Sequence, residues 1–204
     1  MVYIFSIHIP IAGMSLLPIV FNLPTVFLPA HIAFLELIID PACSTVFEAE
    51  TEEKDIMKKP PRNLHQPLFN KKTIGVGLVQ GLSILGVVFG YFVITLLMGK
   101  GELEARSLAF AILVFANLML IITNLSWSRS LIQILKSKNK ALYGVLLGAI
   151  TALLLVLYIP FLRDLFHFTN LHGNDLLIAL TAGFISLGWF EVIKLLNLRY
   201  IKPR

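Results

Sequence analysis

Two carboxylates, Glu36 and Asp40, interrupt an apolar stretch of the sequence, since no Asp, Glu, Lys or Arg precedes Glu36. They stand four residues apart, so a helix would place them on one face. Pro41 follows at once, and a proline removes a backbone donor and disfavours helical dihedrals in the residue before it. Freed carbonyl oxygens beside two carboxylates form the all-oxygen ligand set that hard divalent cations prefer. The pattern predicts a site for a transported cation, with the divalent class favoured.

Other polar residues fall at a similar predicted depth. A hairpin that turns near residues 22–23 brings Ser6 and His8 to the level of the carboxylates, so we take His8 as a third candidate ligand and Ser6 as a second-rank one. Asn117 and Asn124 share a face of a later helix and are also second-rank candidates. Interhelical hydrogen bonding is the alternative interpretation for these amides.

An acidic side chain at the centre of a bilayer costs about 2.5–3.5 kcal/mol. The pair Glu36 and Asp40 must therefore face partners, water or a cation. A structural buried pair, with one carboxyl protonated, is the alternative to a cation site.

The composition indicates that these residues lie in a membrane protein. The 204 residues are 57% hydrophobic and 14% charged, with a mean hydropathy of +0.82, whereas soluble domains are about a quarter charged. A membrane-crossing helix needs about 20 apolar residues. Six segments meet this length: roughly 2–20, 25–46, 74–98, 107–125, 141–162 and 175–195. We predict an all-α, polytopic bundle of six transmembrane helices that forms a single domain over residues 1–204, with a cytoplasmic loop at 48–72.

Three pairs of glycines have a four-residue spacing, which lets helices approach closely in lipid. They are Gly77 and Gly81, Gly86 and Gly90, and Gly144 and Gly148. We expect all three pairs to form packing faces. Glu191, three residues before Lys194 near the end of the last segment, is expected at the membrane interface.

Basic residues indicate the orientation. Fourteen of the 17 Lys and Arg residues fall in 48–72, 126–140 and 194–204, and the connections on the other side hold Lys100, Arg106 and Arg163. The positive-inside rule then predicts a multi-pass protein of the cell membrane with both termini cytoplasmic. Because the basic residues sit at membrane exits without interleaved aromatics, the lipid bilayer is an expected partner and nucleic acid is not.

The stretch "FLPAHIAFLELIIDPACSTVFEAETEEKDIMKKPPR" resembles the sixth transmembrane helix and following loop of P-type cation-transporting ATPases of the calcium-pump branch, including bacterial relatives. The "LPAH" proline and "DIMKKPPR" followed by "PLF" carry the likeness, which extends over the chain. The resemblance implies the last six membrane helices of a pump, five to ten, and, through the bacterial relatives, a location in a bacterial inner membrane. It also implies that Asp40 matches an ion-binding aspartate, while Glu36 and His8 stand where calcium pumps have asparagines.

The resemblance also implies that ATP hydrolysis and the membrane ion site belong to different parts of a pump. The sequence contains no DKTG phosphorylation motif, no Gly-rich phosphate loop and no plausible catalytic triad, so we assign no catalytic or cofactor-binding residue. ATP and Mg²⁺ are expected to act only through a separate headpiece, in an N-terminal pump portion with phosphorylation and nucleotide domains. We predict the C-terminal membrane part of a cation pump, as a fragment or a partner of that portion. The alternative is a non-transporting remnant or a regulatory subunit that packs against intact pumps.

Overall fold

The computed structural model describes residues 2–36, 40–50, 71–126, 129, 131–135 and 139–196, without the side chains of residues 40–43, 72, 132 and 195. Within these ranges every regular element is a helix, which confirms the all-α prediction. Most of the predicted loop 48–72 lies outside the described residues. The helices are α1 Val2–Val20, α2 Pro29–Phe34, α3 Asp40–Glu48, α4 Lys71–Leu97, α5 Glu102–Leu125, α6 Leu131–Leu135, α7 Lys140–Tyr158, α8 Pro160–Leu165 and α9 Gly173–Leu195.

Five of these helices are long and apolar enough to cross a membrane: α1, α4, α5, α7 and α9. They correspond to five of the six predicted segments, and α1 has the predicted bounds. The multi-pass membrane character is thus supported by helix length and composition, while a sixth continuous span is not found among the described residues.

The predicted second span, 25–46, has a different form. Its first residues are not helical, because Leu28 is extended and Pro29 begins α2; the residue before a proline disfavours helical dihedrals, and proline suits the first helical position. After Phe34 the backbone widens to a π-helical turn at Leu35 and Glu36, and α3 begins at Asp40. Such single π turns are frequent at functional sites.

The most buried helix is α5, which is enclosed along most of its length. Small residues make this possible, since Ala105, Ala109, Ala111 and Ala116 are all fully buried and allow neighbouring backbones to approach. Helices α1, α4 and α9 pack against α5, while α7 is largely exposed. Helix α5 therefore positions α1 mainly through α4, which packs against both helices.

Glycines confirm the predicted packing at one pair only. A Cβ at Gly81 would lie 2.7 Å from the Ile9 side chain and 3.0 Å from the Ser6 carbonyl oxygen, and Gly77 is similarly tight. The parallel helices α1 and α4 thus form a close seam. At the other two pairs, Gly86 with Gly90 and Gly144 with Gly148, a Cβ would meet no described residue within 4 Å, so the packing prediction is wrong for them within the part of the chain that the structure describes.

The connections 21–28, 98–101 and 159–172 meet at one end of the bundle, which we call the hairpin end. Arg106 of α5, itself buried, donates to the carbonyl oxygens of Thr25 (2.9 Å) and His167 (3.3 Å). His31 of α2 is buried and pairs with the Phe166 carbonyl oxygen at 2.7 Å. One buried cation and one buried imidazole thus join the start of α2 to the 159–172 connection.

The opposite end, which we call the basic end, is joined by two carboxylates. Glu50 bonds Arg129 and, at 2.7 Å, the Asn139 amide. Glu191 accepts from Lys194 at 2.9 Å and from the Leu131 amide at 3.2 Å. Glu191 is thus buried and paired at this end of the bundle, and its expected place at the membrane interface stays a prediction.

Candidate cation site

The structure brings together His8 of α1 and Glu36 of the π-helical turn. His8 Nε2 lies 3.7 Å from Glu36 Oε1. The antiparallel course of α1 and α2 puts these two residues at one level, as the hairpin register predicts. Their side chains remain 51% and 38% exposed, so the pair is open on one side.

The hydrogen bonding of His8 fixes how it faces the carboxylate. Its Nδ1 lies 2.8 Å from the Ile4 carbonyl oxygen, which can only accept, so Nδ1 carries a proton. A neutral His8 then presents the lone pair of Nε2 to Glu36. The 3.7 Å between these two acceptor atoms leaves room for a proton or a cation between them.

Behind His8, a buried hydrogen-bonded layer joins three helices. Ser6 Oγ on α1 lies 3.1 Å from Gln80 Oε1 on α4, and Asn124 Nδ2 on α5 donates to the same Gln80 oxygen at 3.2 Å. Ser6 Oγ also lies 3.1 Å from the Gly77 carbonyl oxygen. The structure thus brings together two second-rank residues, Ser6 and Asn124, through Gln80, and for Asn124 it shows the interhelical hydrogen bond of the alternative interpretation. The signal for Gln80 in the sequence is an amide within an apolar span.

Asn117 lies two helical turns along α5 from Asn124, on the same face. It is fully buried, and neither its amide nitrogen nor its carbonyl oxygen has a hydrogen-bond partner in the described part of the chain. Thr123 Oγ1 and Asn124 Oδ1 are also buried without such a partner. These buried side chains of α5 thus carry polar atoms without a hydrogen-bond partner among the described residues.

The second predicted carboxylate, Asp40, begins α3, but its side chain lies outside the described residues. Among the described residues no group of three or more His, Cys, Asp or Glu side chains could hold a metal ion. Of the three first-rank candidates, the structure thus places His8 and Glu36 together and leaves Asp40 as a prediction.

Comparisons with known proteins agree with this membrane architecture. The family model described as "Cation transporting ATPase, C-terminus" matches residues 24–196. The chain is 28% identical over 180 residues to the calcium-transporting ATPase type 2C member 1 of Mus musculus, an alignment that covers 86% of this chain and 19% of that protein.

Two further relatives show the same partial coverage. The human calcium-transporting ATPase type 2C member 2 is 26% identical over 176 residues, which cover 85% of this chain and 19% of that protein. A probable calcium-transporting ATPase of Trypanosoma brucei brucei is 24% identical over 175 residues, covering 74% of this chain and 17% of that protein. The chain thus spans about a fifth of the length of the curated relatives it matches.

Proposed function

The chain belongs to the family of cation-transporting ATPase C-terminal regions, and on that premise we propose that it supplies the C-terminal membrane part of a P-type cation pump. In this proposal Glu36, Asp40 and His8 contribute to the intramembrane transport site, with Ser6, Asn117 and Asn124 in supporting positions. The observation that carries the proposal is the placement of His8 Nε2 3.7 Å from Glu36 Oε1, with no hydrogen bond to that carboxylate from the described residues.

The open side of this pair supports a protein partner. A half-exposed carboxylate in a membrane segment would be costly against lipid. Because the chain matches about a fifth of its relatives' length, we infer that an N-terminal pump portion covers His8 and Glu36 and brings the phosphorylation and nucleotide domains. ATP and Mg²⁺ would act on that portion.

We also propose the orientation and the kind of cargo. The basic end, with Arg129 and Lys194, would face the cytoplasm in a bacterial inner membrane, with both termini on that side, because the positive-inside rule favours it. The relatives are named as calcium-transporting proteins. A divalent cation is therefore the proposed cargo, and Ca²⁺ is one of the ions to test.

Co-expression of the chain with an N-terminal pump portion tests the proposal. Cation-stimulated ATPase activity should appear only when both parts are present. Glu36→Gln and Asp40→Asn should each lower the apparent cation affinity roughly 10- to 100-fold, the scale on which even outer-shell partners of metal ligands act. Glu102→Gln is the matched control, because Glu102 is exposed at the hairpin end of α5.

Two results would overturn the proposal. Unchanged cation affinity in both carboxylate variants would remove these residues from the transport site. Copurification of the chain with an intact pump, without any need for it in transport, would favour the regulatory alternative.

A further inference from the structure

Two His–carboxylate pairs among the described residues have nearly equal N···O distances, but the hydrogen bonding of their carboxylates differs. His8 Nε2 lies 3.7 Å from Glu36 Oε1, and His172 Nδ1 lies 3.6 Å from Asp175 Oδ2. The two oxygens of Asp175 are already occupied, since Lys100 donates to Oδ1 at 3.2 Å and the His172 backbone amide donates to Oδ2 at 3.0 Å. The carboxylate of Glu36 accepts no hydrogen bond from the described residues.

The His8–Glu36 contact is longer than a direct hydrogen bond. A charge-assisted N–H···O bond measures about 2.7–2.9 Å. Two ligands that each lie about 2.1 Å from one tetrahedral ion are about 3.4 Å apart. The observed 3.7 Å leaves room for a shared ion, but so does the 3.6 Å of His172–Asp175. The oxygens of Glu36, which accept no hydrogen bond from the described residues, therefore distinguish the two pairs, and the distance does not.

The second nitrogen of His8 gives the same indication. Imidazoles that bind metals nearly always donate their other ring N–H to a carbonyl or a carboxylate, which fixes the tautomer. His8 Nδ1 is within 2.8 Å of the Ile4 carbonyl oxygen, so Nε2 is the free donor atom and faces Glu36. This arrangement directs one nitrogen and one carboxylate oxygen to the same point.

We propose that His8 is a direct nitrogen ligand of the transported ion and makes the site prefer a divalent first-row transition ion to Ca²⁺. This inference rests on the proposed function and names its class of cargo. Ca²⁺ takes six to eight oxygen ligands, whereas imidazole nitrogen suits Zn²⁺ and its neighbours in the transition series. Replacing one oxygen by an imidazole therefore shifts the preference toward the transition ions.

Zn²⁺ and Ca²⁺ binding to the full chain, assembled with its N-terminal portion in lipid nanodiscs, tests the inference. The wild type should bind Zn²⁺ more tightly than Ca²⁺. His8→Asn replaces the nitrogen by an amide oxygen, and it should weaken Zn²⁺ binding at least roughly tenfold while Ca²⁺ binding is kept or improved. X-ray absorption at the zinc edge should show imidazole scattering in the wild type and lose it in His8→Asn.

His172→Asn is the matched control, because it removes a pair of the same length whose carboxylate is already occupied. It should leave both affinities and the absorption spectrum unchanged. Loss of the imidazole signal in His172→Asn rather than in His8→Asn would overturn the inference.

The inference and the proposed function fail separately. If Glu36→Gln abolishes binding of both ions but His8→Asn leaves the Zn²⁺ to Ca²⁺ ratio unchanged, the transport site stands and the nitrogen ligand is wrong. If neither ion depends on Glu36, the site itself is wrong, and so is the inference.

Discussion

The two ends of the short segment 29–36, which comprises α2 and the π-helical turn after it, are held in opposite ways. At the hairpin end His31 is buried, stacks on Phe168 with 4.7 Å between ring centroids, and bonds the Phe166 carbonyl. Five residues further on, Glu36 is part exposed and faces a single half-exposed histidine. The His31 ring is thus packed and hydrogen-bonded by residues of this chain, whereas the Glu36 carboxylate can accept further ligands. Stability and transport should therefore separate: substitutions at the hairpin end should unfold the bundle, and substitutions at the open pair should change ion binding.

The largest effect is expected for Arg106→Met, which keeps an unbranched apolar stem but removes the donors. The carbonyl oxygens of Thr25 and His167 lose their partner. A hydrogen bond to a charged group contributes about 1.5–3 kcal/mol. Because Thr25 and His167 are themselves exposed and water can replace the lost donor, the lower end applies to each bond, and the free energy of unfolding should fall by about 3 kcal/mol in total. Thermal unfolding in detergent, followed by tryptophan fluorescence, measures this. A variant as stable as the wild type would show that the hairpin end is not the anchor of α2.

A difference of sign is expected between two glycines of α4. Gly81→Ala would put a Cβ against Ile9 and the Ser6 carbonyl, and overpacking of this kind costs about 1–3 kcal/mol. Gly86→Ala meets open space and should be neutral or stabilise the chain by up to about 1 kcal/mol, since glycine is the poorer helix former. Unfolding of both variants in the same detergent checks this. Equal effects at the two positions would contradict the close α1–α4 seam.

Gln80→Leu should have a smaller effect, although it removes the amide that joins Ser6 to Asn124. Interhelical hydrogen bonds in membranes contribute about 0.6 kcal/mol on average and about 1.7 at most. Asn124 keeps a bond to the Leu120 carbonyl, so the loss of unfolding free energy should stay within that range. Thr181→Val is the control, because that exposed hydroxyl bonds carbonyls of its own helix. A loss well above this range would mean that the layer behind His8 also anchors the fold.

The smallest effect concerns pH at the hairpin end. Lys100 lies 2.6 Å from Glu104 and 3.2 Å from Asp175, and hydrogen bonds to these carboxylates raise the pKa of Lys100 above its ordinary value. A raised pKa means that the stabilisation is complete below the unfolded pKa of lysine and is lost as pH rises through the folded value. Since Lys100 is part exposed, it should contribute no more than about 1 kcal/mol.

A pH titration of unfolding for the wild type and Lys100→Met measures this contribution. The two curves should differ by a constant amount from neutral to mildly alkaline pH and should converge above the raised pKa of Lys100. High salt should reduce the difference, because exposed charges are screened. A difference that grows with pH would contradict the assignment.

The sequence predicted those features of the architecture that depend on neighbouring residues in the chain. Hydrophobic length alone predicted α1 with its observed bounds, and the hairpin register placed His8 beside Glu36. Four-residue glycine spacing identified which glycines share a face but not which face meets another helix, so Gly81 was correct and Gly86 was not. The rotation of each helix depends on all its neighbours at once.

The same limit applied to the polar residues. Gln80 looked like any amide in a span, and its position between Ser6 and Asn124 required the relative rotation of three helices. Glu191 was expected at the interface because it lies near a helix end, but its burial and its hydrogen bond from the Leu131 amide, 60 residues away in sequence, were not predicted. A hydrogen-bond partner that is distant in sequence cannot be predicted from the residues next to Glu191.

The central claim is that Glu36 binds the transported cation, and protection from a carbodiimide tests it most directly. In the assembled pump, a hydrophobic carbodiimide should label Glu36, as quantified by peptide mass spectrometry, and the labelling should fall as the cation that stimulates ATPase activity is added. Glu191, which is buried and paired with Lys194, should show no such dependence. Glu36 labelling that stays constant up to saturating cation concentrations would contradict the claim.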